Sequence, residues 1–154
     1  MKINYKILII SIISVFLIGF LGSLFTAPNT GTDWYQSIKP DLTPPSFVFP
    51  IVWNILFLFI SISLYLSLIN SNKNKRKKII YLFGINLLLN LLWSVIFFGL
   101  KMPILSFIEL ILLLISTGIL IFHTKKINRA ASCLLIPYFI WLVFAGILNF
   151  LIIN

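Results

Sequence analysis

The sequence predicts an all-α membrane protein built as a bundle of five transmembrane helices. Three observations carry that prediction. The 154 residues are 60% hydrophobic and only 10% charged, with a mean hydropathy of +1.11. They fall into long runs almost free of charge, and the cations collect in the gaps between the runs. Such a balance excludes a water-soluble globule. In a soluble chain the net charge of +9 would point to nucleic acid. Here the cations punctuate apolar runs, so they read as orientation signals and no nucleic-acid partner is expected. The single cysteine, Cys133, excludes an internal disulfide and a cysteine-based metal cluster, and reads as a small buried apolar group.

A hydrocarbon core of ~30 Å takes roughly 20 helical residues. Spans are accordingly expected at about 6–26, 46–70, 79–100, 102–124 and 130–152, in one domain covering 1–154. The first run, from Ile7 to Phe25, is longer than the apolar region of a secretory signal. Phe25 also occupies the place where cleavage after Ala27 would need a small residue, so a retained helix is expected. Pro28 and Gly31 end it, the Asn-rich, Lys-rich stretch from Asn70 ends the second run, and Lys101 with Pro103 ends the third. Lys125-Lys126 with Asn128-Arg129 separates the fourth from the fifth.

Lys2, Lys6, Lys73, Lys75, Arg76, Lys77, Lys78, Lys125, Lys126 and Arg129 all lie on one side of this arrangement, and only Lys39 and Lys101 on the other. The positive-inside rule then places a multi-pass protein in the cell membrane with its N-terminus cytoplasmic, its C-terminus external and the connection 27–45 outside.

That connection is long for a compact bundle and carries Asp33, Trp34, Tyr35 and four prolines from Pro28 to Pro45. Its prolines and aromatics fit an ordered lid, and equally an interfacial aromatic belt. In the third span Asn86, Asn90, Trp93 and Phe97 recur at helical spacing, a stripe that must face the bundle interior, either to line a cavity or to bond neighbouring helices. Trp53 and Phe57, with Asn54 alongside, supply an aromatic edge on the second span. Tyr138, Trp141, Ala145 and Asn149 form another on the fifth, where Pro137 should kink the helix or free a carbonyl. Flat aromatic walls with a few amides suit a large, planar, mostly apolar ligand.

Glu109 is the one acid inside a span, either a proton or cation site or a structural hydrogen-bonding group. His123, beside Lys125, reads as a wet interfacial imidazole in preference to a haem ligand. No nucleophile and base, paired carboxylates, metal spacing or Gly-rich phosphate loop can be assembled, which argues against hydrolytic or phosphoryl-transfer chemistry and against a resident metal.

Trp34-Tyr35 followed by Lys39-Pro40, Pro44-Pro45 and Trp53, then Asn86, Asn90, Trp93, Phe97-Phe98-Gly99, then Glu109, and finally Pro137-Tyr138 with Trp141, Phe144-Ala145 and Leu148-Asn149, resemble the TspO/MBR family in order and over nearly the whole chain. This is the family of tryptophan-rich sensory and translocator (peripheral benzodiazepine receptor) proteins. The resemblance implies a five-helix bundle, often a homodimer, with a pocket beneath the first connection that binds porphyrins such as protoporphyrin IX and benzodiazepine-site ligands. It implies no obligatory cofactor. The ligand-binding positions it implies are Trp34, Tyr35, Pro45, Trp53, Phe57, Asn86, Asn90, Trp93, Phe97, Trp141 and Ala145. Transport of tetrapyrroles is an alternative role, as is light-dependent porphyrin degradation, for which Trp53 and Trp141 would be the catalytic pair. The vertebrate sterol motif has no counterpart, because no Lys or Arg follows Arg129. Asn86 stands where many members carry glutamine.

Overall fold

Capping asparagines start three of the long helices in the computed structural model, which describes residues 3–154. Helix α1 (Tyr5–Thr26) begins after Asn4, α4 (Lys73–Ser94) after Asn72 and α6 (Arg129–Ile153) after Asn128, each side chain accepting a bond from a first-turn N–H. All three start at the cation-rich end. The remaining elements are the short α2 (Asp33–Ile38), α3 (Val48–Ile69) and α5 (Pro103–Lys125), the last opening with proline, whose missing N–H costs nothing there. Lys2, counted above among the orienting cations, lies outside the described residues.

Among the described residues five helices are long and apolar enough to cross a bilayer, α4 together with the turn that follows it. The cationic run Lys73–Lys78 is itself helical, so α4 starts about two turns before the expected boundary near 79. Hydropathy marks where the lipid begins, whereas the backbone starts where Asn72 caps it, and Lys and Arg are good helix formers. Arg76 is the exception among these cations. Its Nε donates to the carbonyls of Leu68 at 2.9 Å and Ser71 at 3.1 Å, tying off the end of α3.

The long helices form a closed ring in the order α1, α3, α6, α5, α4 and back to α1. Inside the ring, polar side chains are interspersed in an apolar core, while the outer face is almost wholly apolar. Ser61, Ser63, Asn86, Thr117 and Asn149 are buried, while Ile9, Ile13, Leu17, Phe20 and Leu24 form an exposed stripe along α1. Comparable stripes run along α4, α5 and α6. An outer face so extensively apolar is tolerable only in hydrocarbon. Interior polar groups join the helices. The Ser63 hydroxyl donates to the Ala131 carbonyl at 2.7 Å across α3 and α6, and Ser132 donates to Ile121 at 3.0 Å across α6 and α5.

Close approach of α1 to α3 depends on Gly19. A Cβ there would stand 2.4 Å from Cε2 of Phe57. Cys133, expected inside, is exposed on the outer face of α6, since a thiol is apolar enough to meet lipid. Helix α6 runs unbroken through Pro137, which leaves the Cys133 carbonyl without its usual i+4 donor.

Candidate functional site

The first connection is an ordered lid. The Thr32 side chain caps α2, Gln36 Nε2 donates to the Thr30 carbonyl at 2.8 Å, and a turn closes between Pro40 and Thr43. Helix α2 thereby carries Trp34 and Tyr35 over the end of the bundle. The Trp34 ring meets Phe97 edge-on at 5.8 Å, and Tyr35 meets Phe97 at 6.3 Å and Phe98 at 5.4 Å. Lys101 Nζ sits 5.6 Å from the centre of the Trp34 ring. Lys101 has a φ of 55°, a left-handed turn that swings the chain from α4 into α5. Burial of the lid against these rings raises the Tyr35 phenol above its ordinary value.

The seat beneath the lid is shaped by a π-helical turn, Val95–Gly99, closed by the Leu100 N–H on the Val95 carbonyl at 2.9 Å. A π turn accommodates one residue more than an α turn and recurs at functional sites. Here it buries Phe97 and Phe98 together. Phe97 stacks on Trp93 at 5.0 Å and 14°, and the Trp93 indole N–H donates to Asn149 Oδ1 at 3.3 Å. Asn149 Nδ2 in turn donates to the Pro103 carbonyl at 3.0 Å, and the Ser106 hydroxyl lies 3.0 Å from Asn149 Oδ1, so one amide joins α4, α5 and α6.

A second aromatic group lies on the α3 and α6 side. Trp53 stacks on Phe57 at 5.3 Å and meets Tyr138 edge-on at 6.2 Å. Trp141 packs against Phe49 at 5.9 Å and Phe144 at 5.4 Å. Trp141 and Phe144 wall a groove of about 660 Å³ between α3 and α6, with Pro137 on one side and Pro44, Val52 and Phe59 on the other. Its lining is almost wholly apolar. The volume lies in the range of drug-sized ligand sites.

Of the positions expected at the site, Trp34, Tyr35, Trp93 and Phe97 come together under the lid, and Trp53 and Phe57 form a column beside the groove that Trp141 lines. Ala145 is half-buried against the same core. Pro45 is exposed, and its neighbour Pro44 reaches the groove. Asn86 and Asn90 point inward but are engaged by neighbouring helices. Asn86 Nδ2 donates to Thr117 at 2.8 Å and to Ser116 at 3.3 Å, and Asn90 Nδ2 donates to Tyr138 Oη at 3.1 Å. Glu109 is buried with neither carboxylate oxygen bonded, and Asn86 Oδ1 is likewise without a partner. His123 is half-buried near the cation-rich end. Among the described residues no three His, Cys, Asp or Glu side chains gather to hold a metal.

Pro44, Phe98 and Phe144 were not expected as site residues. The proline dipeptide signals both its members equally, and the π turn that buries Phe98 has no sequence marker before Gly99. The arrangement offers stacking surfaces and a few amide groups, a lining that suits contact with a flat, mostly apolar molecule.

The model of the TspO/MBR family matches residues 11–154. The tryptophan-rich protein TspO of Archaeoglobus fulgidus is 40% identical over 153 residues, covering 97% of this chain and 96% of the relative. That of Chlorobaculum tepidum is 37% identical over 139 residues, covering 89% and 87%. The translocator protein of Bos taurus is 29% identical over 135 residues, covering 86% and 79%.

Proposed function

The chain belongs to the TspO/MBR family and is a multi-pass membrane protein, and on that premise we propose that it is a receptor or sensor for porphyrin-type tetrapyrroles and similarly planar benzodiazepine-site ligands. The observation that carries this reading is the groove of about 660 Å³ walled by Trp141 and Phe144 beside the Trp53, Phe57 and Tyr138 column. A planar aromatic ligand gains both apolar burial and stacking there. It enters from the bilayer side, where the groove opens, and the docked lid covers the end of the bundle above it. The ten-to-two division of cations orients the lid outward, with the N-terminus cytoplasmic and the C-terminus external. A homodimer is the expected assembly.

Titration of the purified protein with protoporphyrin IX, read as quenching of tryptophan fluorescence, tests the reading. Loss of two indole faces, each contributing about 1 kcal/mol of stacking beyond area burial, should weaken binding in a Trp53→Ala/Trp141→Ala variant by at least tenfold. Unchanged affinity would remove the groove from the function. Illumination of the bound pigment, compared between the wild type and Trp→Phe variants, separates binding from photo-oxidative degradation.

Glu109 supports a second reading, transport of such solutes. An unpaired carboxyl group buried in a span is costly to keep for structure alone. Proteoliposome uptake that fails in Glu109→Gln, with porphyrin binding intact, is the outcome that reading requires.

A further inference from the structure

At the cation-rich end, the first two turns of α4 and the end of α5 enclose a separate groove of about 250 Å³. Lys75, Lys78, Lys126 and His123 line it, over a floor that includes Ile79 and Leu82. The three lysines are exposed, while Ile79 is buried at 2% exposure.

Among the described residues no acidic side chain neutralises this cluster. The protein has three acidic residues. Asp33 and Asp41 lie in the connection at the opposite end, and Glu109 precedes His123 by fourteen residues on α5, about 21 Å along the axis. Lys126 rests on an aromatic face instead of an acid, its Nζ 4.1 Å from the Phe122 ring centre.

The placement is also unfavourable for α4 itself. Lys73 and Lys75 occupy its first turn, where the helix dipole is positive and acidic residues stabilise. Arg76 offsets its position by capping α3, but Lys75 and Lys78 have no such bond. An anion above Lys75 and Lys78 would reverse the sign of both costs.

The floor says which anion. Ile79 and Leu82 continue from the cationic rim into the apolar part of α4, so the groove offers charge at headgroup depth and hydrocarbon directly below it. A free phosphate uses only the rim, whereas an amphiphile uses both. We propose that this groove binds the phosphate headgroup of an anionic phospholipid from the surrounding leaflet, with Lys75, Lys78 and Lys126 holding the phosphate and the acyl chain leaving over the half-buried Leu82.

The full-length protein in detergent micelles is titrated with phosphatidylglycerol, phosphatidylcholine or inorganic phosphate, and retained lipid is counted by native mass spectrometry beside a thermal-shift measurement. Phosphatidylglycerol should bind about tenfold more tightly than phosphatidylcholine. The triple variant Lys75→Gln/Lys78→Gln/Lys126→Gln should lose that preference. Its control, Lys73→Gln/Lys77→Gln/Lys125→Gln, removes the same charge from exposed positions of the same face outside the groove and should keep it. A single Lys78→Gln variant, expected to weaken phosphatidylglycerol several-fold, carries the test if the triple is unstable. Equal losses in the two triples would mean diffuse attraction and overturn the site. Stabilisation by inorganic phosphate equal to that by phosphatidylglycerol would overturn the lipid assignment.

Discussion

A single methyl group at Gly19 tests whether the aromatic column is held from behind by α1. In Gly19→Ala the new Cβ would stand 2.4 Å from Cε2, 2.8 Å from Cδ2 and 2.9 Å from Cζ of Phe57. The ring cannot simply rotate away, because it is buried, stacked on Trp53 at 5.3 Å and flanked by Phe16 at 6.1 Å. Overpacking of this kind costs about 1–3 kcal/mol, against about 0.5–1 kcal/mol gained by replacing a helical glycine with alanine. Gly84 provides the internal reference, since a Cβ there meets nothing within 4 Å and Gly84→Ala should show only the gain. The two variants should therefore differ in unfolding free energy by roughly 2 kcal/mol, with Gly19→Ala the less stable. Reversible unfolding in mixed micelles, followed by helical ellipticity, measures the gap, and the displacement of Trp53 should shift tryptophan emission in Gly19→Ala alone. Equal stability of the two variants would refute the claim that α1 buttresses the column.

Asn149→Leu removes the amide that joins α4, α5 and α6. With interhelical bonds worth about 0.6 kcal/mol each in membranes, loss of its contacts should cost about 1–2 kcal/mol, and the freed Trp93 indole should shift in emission. Lid docking should depend on pH through Tyr35, whose phenol is raised above 10.0 by burial. The docked lid keeps the neutral phenol while an undocked one ionises first, so docking is at full strength below about pH 10 and weakens as pH rises beyond it. Protease cleavage between Thr26 and Val48 should accelerate over that interval in the wild type and not in Tyr35→Phe.

The five spans were legible because each is a run almost free of charge, bounded by cations, prolines or asparagines, and hydropathy needs no knowledge of tertiary structure. The order of the ring was not. The connection of three residues between Ile69 and Lys73 makes α3 and α4 successive, yet each packs more extensively on α1 than on the other. Asn86 and Asn90 were readable as inward-facing from their spacing, but their partners were not, since Thr117 lies thirty-one residues from Asn86 and Tyr138 forty-eight from Asn90. Trp141 was found from its stripe on α6. The other wall of its groove is assembled from the chain on either side of Phe47, where a proline-rich turn passes into α3, and no single periodicity joins Pro44 to Phe59.

The π turn at Val95–Gly99 divides the third membrane crossing into two registers. In an uninterrupted α-helix, one added residue rotates everything beyond it by about 100° and would carry interior positions off the interior face. Confined within a π turn, the extra residue leaves the Asn86, Asn90 and Trp93 face in place and sets the angle of Phe97 and Phe98 separately. The seat of the lid and the polar seam of the bundle thus meet only at Trp93, which stacks on Phe97 and bonds Asn149. A one-residue deletion within Val95–Gly99 would re-aim the lid's docking surface without disturbing the bonds to Thr117 and Tyr138.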